Sequence, residues 1–321
     1  MSLLDDQIAQ AVPVVFIFYN RPEVMTRTWA AIERWQPVEL FLIADGPQEK
    51  KKRDRHICKV ARQIVADVNW SCDVRRLYSE KNLGCRQRVS SGLDQVFTEV
   101  DRAIILEDDC VVQDDFFRFC ATLLERYVDD ERFWGVSGTS FIDSASTNQE
   151  AYFATRYVSS WGWATWRRAW QAADQKMRFW PQWKKSRAWH QAHRDPRERW
   201  YWHLLFNDCY KKRIDTWDFP FLANQWHNNG LFLMSNHNLV SNVGFGKHAT
   251  HTRDPKSSMA ALDIESLRKD VRSGQLTPDL DRETKIFNIA FNGNKLRLPA
   301  ALYTIPRLVL GRWYRWLRAL R

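Results

Sequence analysis

The chain has 321 residues, 45% of them hydrophobic and 27% charged, the composition of a globular protein long enough to bury a large core. It also carries 17 Trp and a formal net charge of +10, and its six cysteines (Cys58, Cys72, Cys85, Cys110, Cys120, Cys209) have no paired spacing. That pattern excludes a zinc ribbon or a secreted disulfide framework and predicts reduced, mostly buried thiols. Residues 1–10 lack a basic leader, and no run approaches the roughly 20 apolar residues of a spanning helix, so a cytoplasmic protein is expected.

Val12 to Phe18 is a β-rich apolar run, and Tyr19-Asn20-Arg21-Pro22 turns into a helix from about Glu23 to Trp35. Glu39 to Ala44 is a second strand ending in Asp45-Gly46-Pro47, and Lys50 to Asp67 follows with helical spacing. A short third strand, Asp73 to Tyr78, leads into Asn82-Leu83-Gly84 and a helix from Arg86 to Val100. The fourth, Ala103 to Leu106, reads as fully buried and stops at Glu107-Asp108-Asp109. Strands alternating with helices over this stretch predict an open, doubly wound, mostly parallel α/β sheet. Ligands of such sheets sit at the carboxyl ends of the strands, where the strand order switches. Asn20-Arg21, Asp45, Asn82-Leu83-Gly84 and the acidic triplet all fall at such ends, which together describe a nucleotide crevice.

A helix from about Asp115 to Tyr127 and a fifth strand, Phe133 to Gly138, come next, then a polar loop to Glu150. Eleven of the 17 tryptophans lie between Trp161 and Trp226. Most are expected in the core, with one or two in ligand contact, because indole rings bring large buried area and also stack on apolar sugar faces. A helix from about Glu198 to Lys212 precedes Ile214-Asp215-Thr216-Trp217-Asp218-Phe219, and short strands are expected at Leu231 to Met234 and Asn238 to Ser241. Residues 253 to about 275 are polar. From Arg307 onward five Arg and no acid face one arc of a helical wheel, with Val309, Leu310, Trp313, Trp316, Leu317 and Leu320 on the other. This tail reads as an interfacial helix for an anionic membrane surface, with docking on the protein's own core as the competing reading; no nucleic-acid module accompanies it.

Three adjacent carboxylates near a core repel one another and lose hydration, so a fold that keeps them there needs a cation or donor groups, unless the triplet is simply a solvated loop. Hard oxygen ligands suit Mg2+ or Mn2+, bound through one or two carboxylates with substrate phosphates completing the shell. Asp109 is the expected metal ligand, and Arg21 a fixed positive charge beside the nucleotide.

On these residues the chain resembles the GT-A class of nucleotide-sugar glycosyltransferases, most of all the inverting N-acetylglucosaminyltransferases that start complex N-glycans and their bacterial relatives. The similarity covers roughly Val12 to Thr252 and is densest over Glu107 to Phe119, where Glu-Asp-Asp is followed by Asp-Phe-Phe. It implies a GT-A type doubly wound sheet, to which this sequence adds a Trp-rich acceptor-side region and a C-terminal amphipathic helical tail. Residues 1–158 would be the nucleotide-sugar half, 159–252 the acceptor and catalytic half of the same domain, and 253–321 a helical extension. It further implies that Asn20-Arg21 close the first strand, that Asp45 contacts uracil beside Asn82 and Gly84, that Asp108 faces the ribose and Glu107 the donor sugar. Trp217-Asp218 matches the pair that carries the catalytic base. Asp215 is the alternative base, and Asp218 could instead cap a helix or turn, as Asp45 could serve its own turn. His251 could be a second metal ligand, with His248 as its rival. The Trp-rich insert and the basic tail are outside the family pattern.

The expected protein is therefore a metal-dependent inverting transferase of polysaccharide biosynthesis, held at the inner face of the membrane. It would move a sugar such as N-acetylglucosamine from a UDP-sugar to a lipid-linked or surface-glycan acceptor. A sugar nucleotidyltransferase fits less well, because Tyr19-Asn20-Arg21-Pro22 lacks a Gly-rich basic phosphate loop. A non-catalytic glycan-binding or membrane adaptor on the same scaffold is the non-enzymatic alternative.

Overall fold

The computed structural model describes residues 3–142, 150–192, 195–245, 259–260, 262–267 and 274–296. The C-terminal tail, His248 and His251 lie outside the described residues. After a short helix α1 (Asp6–Gln10), the elements β1 (Val14–Phe18), α2 (Pro22–Trp35), β2 (Glu39–Ala44), α3 (Asp54–Ile64), β3 (Asp73–Tyr78), α4 (Cys85–Glu99) and β4 (Arg102–Glu107) alternate as predicted. Within this half the strands are parallel to one another, in the order β3-β2-β1-β4. All five residues of β1 and the four central residues of β4 are buried, as expected of strands covered on both faces. Pro22 opens α2 at its first position, where a missing N–H costs nothing.

The second half mixes directions. β5 (Cys110–Val112) and α5 (Asp114–Arg126) are followed by β6 (Phe133–Ser137), β7 (Tyr152–Thr155) and β8 (Trp163–Trp166). Then come four helices, α6 (Arg167–Ala172), α7 (Trp180–Trp183), α8 (Arg187–Ala192) and α9 (Pro196–Tyr210), and after them α10 (Asp218–His227), β9 (Leu231–Ser235), β10 (Val240–Asn242) and α11 (Leu280–Ala290). The eight-stranded sheet runs β3-β2-β1-β4-β8-β6-β9-β7, with β8 antiparallel to both neighbours, while β5 and β10 form a separate antiparallel pair. The fold is thus α/β with a mixed, mostly parallel sheet. α1, β5, β7, β8, α6, α7, α8 and α10 were not predicted, and α11 lies in the stretch expected only as a helical extension. The strands among them are three or four residues long, too short to show a period, and Trp-Ala-Thr-Trp is buried throughout by its place between β4 and β6.

The aromatic residues build three clusters. Trp29, Trp35 and Phe117 pack on one face of the sheet, and Phe97, Trp163, Trp170 and Phe221 on the other. The third cluster lies among the helices and joins Trp180, Trp183, Trp189, Trp202 and Trp226 to Ile286 and Phe287 of α11. Nine of the eleven tryptophans between Trp161 and Trp226 are buried, which accounts for most of that composition as core. Four of the six cysteines are buried and all six are free. Among the described residues no helix is long and apolar enough to cross a membrane.

Candidate active site

The strand order reverses between β1 and β4: β2 and β3 follow outward from β1, and the chain then returns to place β4 on its other side. In the register Ile17 pairs with Glu107, so the turn after β1 and the end of β4 open side by side. Arg21, at the head of α2, bonds Asp108 through Nε at 3.3 Å and through Nη2, and Nη2 also lies 3.0 Å from Asp109 Oδ2. The β5–β10 pairing, Asn242 opposite Cys110, brings a second segment onto Asp109. Asn242 Nδ2 lies 3.4 Å from Asp109 Oδ1, and a Cβ at Gly244 would come within 2.0 Å of Asp109 Oδ2, so only glycine allows this approach.

Burial pushes the Glu107 carboxyl up to about 8, with Asp109, Asp108 and Asp218 adding repulsion and Arg21 opposing them. Burial raises Asp108 to about 6 against the pull of the Arg21 guanidinium. For Arg21 burial works against the charge, yet Asp108 and Asp109 outweigh it and its pKa rises. One guanidinium therefore serves a group of carboxylates whose negative charge it does not fully balance. Among the described residues no group of three or more His, Cys, Asp or Glu side chains is arranged to hold a metal. Mg2+ or Mn2+, which can bind through one or two carboxylates with phosphate and water as the other ligands, would fit this donor set, and Glu107 and Asp109 are the members of the triplet that line the cavity and could hold it.

That cavity has a volume of about 460 Å³ and is lined at its polar end by Arg21, Glu107, Asp109, Asn242 and Asp218. Asp218 is the first residue of α10, and both of its hydrogen bonds fall on Oδ1, from the Thr216 hydroxyl and from the Phe219 amide at 2.9 Å. It thus serves the helix start and still leaves Oδ2 without a hydrogen bond among the described residues. Trp217 is stacked on Trp163 with ring centroids 5.0 Å apart, and its Nε1 donates to Glu107 Oε1 at 3.3 Å, which ties α10 to the end of β4. Among the described residues, Trp161 and Trp217 are the tryptophans that line the cavity.

Asn20, Asp45, Asn82, Gly84 and Asp215 do not line the cavity and bond to the protein itself. Asp45 is buried and accepts from the Gly46, Leu83 and Gly84 amides and from Asn82 Nδ2, at 2.8–3.1 Å. Asn82 and Gly84 are thereby fixed on the end of β2. Burial raises the Asp45 carboxyl, and those amides hold the rise in check. Gly84 has φ of 81°, and a Cβ there would lie 2.7 Å from Asp215 Oδ2, so glycine is required on both counts. Asp215 accepts from the Cys85 and Arg86 amides, each at 3.1 Å, and so caps α4 from 129 residues or more away. Asn20 Nδ2 donates to Asp54 Oδ1 at 2.5 Å.

Asp54, which sequence reasoning passed over, also accepts from the Tyr19 hydroxyl and from the Gln48 amide at 2.6 Å. Burial would raise its carboxyl, but these donors win and hold it below the usual value of 3.8. Its contribution to stability is present above the unfolded carboxylate pKa and disappears as pH falls through the lower folded value. Asp54→Asn should therefore cost about 2 kcal/mol at pH 7, measured by urea unfolding. The gap between variant and wild type should close as the pH falls through the lowered folded pKa of Asp54.

Sequence reasoning also missed Cys85, Tyr201, Phe219 and Phe291, which line the cavity. No local pattern marks them, because their approach depends on how α4, α9, α10 and α11 pack.

No family model and no curated protein matches the chain. Among solved structures it is similar, at 11% sequence identity, to HddC from Yersinia pseudotuberculosis, over 49% of this chain and 78% of that one, with a TM-score of 0.30. It is also similar to GalNAc-T7, solved with UDP, GalNAc and Mn2+, again at 11% identity, over 70% of this chain and 42% of that one, with a TM-score of 0.39. The chain thus spans less than half of GalNAc-T7. Both likenesses are distant, and the chemistry rests on this chain's own residues.

Proposed function

We propose that the protein is a metal-dependent inverting glycosyltransferase that moves a sugar, such as N-acetylglucosamine, from a UDP-sugar to a lipid-linked or surface-glycan acceptor. The observation that carries this reading is that Arg21, Glu107, Asp109 and Asp218 open onto one cavity at the switch point of the sheet, with Trp217 joining Glu107 to the helix that presents Asp218. Residues 1–158 would supply the donor side and 159–252 the acceptor side of this site, and the tail from Arg307 would hold the enzyme at an anionic membrane surface.

Asp218 Oδ2 takes the proton of the acceptor hydroxyl as that oxygen attacks the anomeric carbon. The bond from that carbon to the diphosphate breaks on the opposite face, its electron pair leaves on a phosphate oxygen, and the proton ends on Asp218. Arg21 stabilises the charge that develops on the leaving group. Mg2+ or Mn2+ held by Asp109 and the diphosphate, with His251 or His248 as a further candidate ligand, would act as a Lewis acid on the leaving phosphates. Glu107 orients the donor sugar and Asp108 the ribose, while Asn20, Asp45, Asn82 and Gly84 shape the nucleotide side.

Isothermal titration with UDP and Mn2+ tests the donor site. Wild type should bind, and Asp109→Ala should lose at least about 10-fold in affinity, the scale of one lost charged contact. No binding by wild type, or undiminished binding by the variant, would refute the assignment.

A further inference from the structure

Beyond Asp218 the cavity changes character. Its polar end gives way to Tyr201 of α9, Phe219 and Leu222 of α10, and Ala290 and Phe291 at the end of α11. Phe219 follows Asp218 directly, so the carboxylate and an aromatic ring open onto the same space. Phe219 and Phe291 each pack on Trp202, with centroids 6.3 and 4.7 Å away, and Tyr201 stands 5.1 Å from the same indole. A buried tryptophan thus backs three half-buried rings that present to the cavity.

The rings from α11 are held by a separate device. Glu283 is buried, and its Oε1 accepts from the Arg156 amide at 2.6 Å and the Thr155 hydroxyl at 3.1 Å, while its Oε2 accepts from Arg156 Nε at 2.6 Å. Arg156 in turn bonds the Ala192 carbonyl at the end of α8. This clasp fixes α11 to the end of β7 and so fixes where Phe291 stands.

We infer that this end of the cavity is an acceptor subsite for a pyranose ring, recognised by its apolar C–H face on Phe219 with Tyr201 and Phe291 around it. The inference rests on Asp218 being the base of the transferase proposed above. A ring sugar matches the juxtaposition because its rim carries hydroxyls, one of which can reach Asp218, while its face carries C–H groups that pack on an aromatic ring. An alkyl chain offers a hydroxyl only at its terminus and has no face to present.

Saturation-transfer NMR on the full-length protein with UDP and Mg2+ reads this directly. The probes are methyl β-glucopyranoside, methyl β-galactopyranoside and methyl N-acetyl-β-glucosaminide, with 1-hexanol as the alkyl comparison. At least one pyranoside should take up saturation, more strongly at its axial ring protons than at its O-methyl group. Phe219→Leu should weaken that pyranoside about 5- to 10-fold, and Phe219→Tyr should keep it within about 2-fold, the range expected for losing or retaining one aromatic face. Binding of hexanol alone, equal binding by Phe219→Leu, or UDP binding with no pyranoside would each overturn the subsite. Absence of UDP binding would instead remove the donor reading and this inference with it.

Discussion

Asp218→Asn should lower sugar transfer by about 10²- to 10⁴-fold, the span attributable to a positioned general base, with UDP affinity within about 2-fold of wild type, since the base interacts with the acceptor and not the nucleotide. The asparagine keeps an Oδ1 that can accept from the Thr216 hydroxyl and the Phe219 amide, so the start of α10 stays in place. What it lacks is a carboxylate oxygen able to take the proton. The loss should therefore appear in kcat, read from UDP release under saturating donor. A variant with turnover near wild type would move the base elsewhere, and Asp215 is poorly placed to inherit it because both of its oxygens are bonded to the amides that open α4.

Glu283→Ala should destabilise the fold by about 3–5 kcal/mol, because it leaves the Arg156 charge without its buried partner. Glu283 is only 3% exposed and three donors converge on it from β7 and the residue after it. Glu283→Gln keeps an acceptor for the amide and hydroxyl while discarding the charge, so its loss should be smaller, about 1–3 kcal/mol. Both are measured by urea unfolding with the slope compared, since an unchanged slope assigns the effect to stability alone. Equal stability of Glu283→Ala and wild type would show that α11 is held by its apolar face, through Ile286 and Phe287, without the clasp.

The parts of this site that could be seen in the sequence are those set by short-range pattern. β2 and β3 have the predicted limits, β1 and β4 lie within two residues of them, and Glu107, Arg21, Asp45 and Asn82 fall at or just beyond strand ends because a buried strand must stop where polar residues begin. What those residues touch could not be seen. Asp45 and Asp215 read equally well as turn, cap or ligand groups, and only the fold shows Asp45 holding the loop after β3 and Asp215 capping a distant helix. The Asp218 segment was ambiguous for the same reason, and the structure has it do both things at once: it begins a helix and lines the cavity. The tryptophans carried no positional signal at all. Nine of the eleven proved to be buried because β8 enters the middle of the sheet and α7 to α9 form their own aromatic core, arrangements that depend on contacts across the whole second half. Phe291 belongs to that category too, since α11 reaches the cavity through its clasp with Arg156 and its packing in the third aromatic cluster.

Cleavage of the bond between a sugar and UDP with inversion is the reaction proposed for this cavity. It is tested most directly by incubating the protein and Mg2+ with each of several UDP-sugars in turn, water serving as acceptor, and following the anomeric proton of the released sugar by NMR. At least one α-linked donor should be consumed, the free sugar should first appear as the β anomer, and Asp218→Asn should slow its appearance. Release of the α anomer first, or no consumption of any donor by a protein that binds UDP, would contradict the proposed reaction.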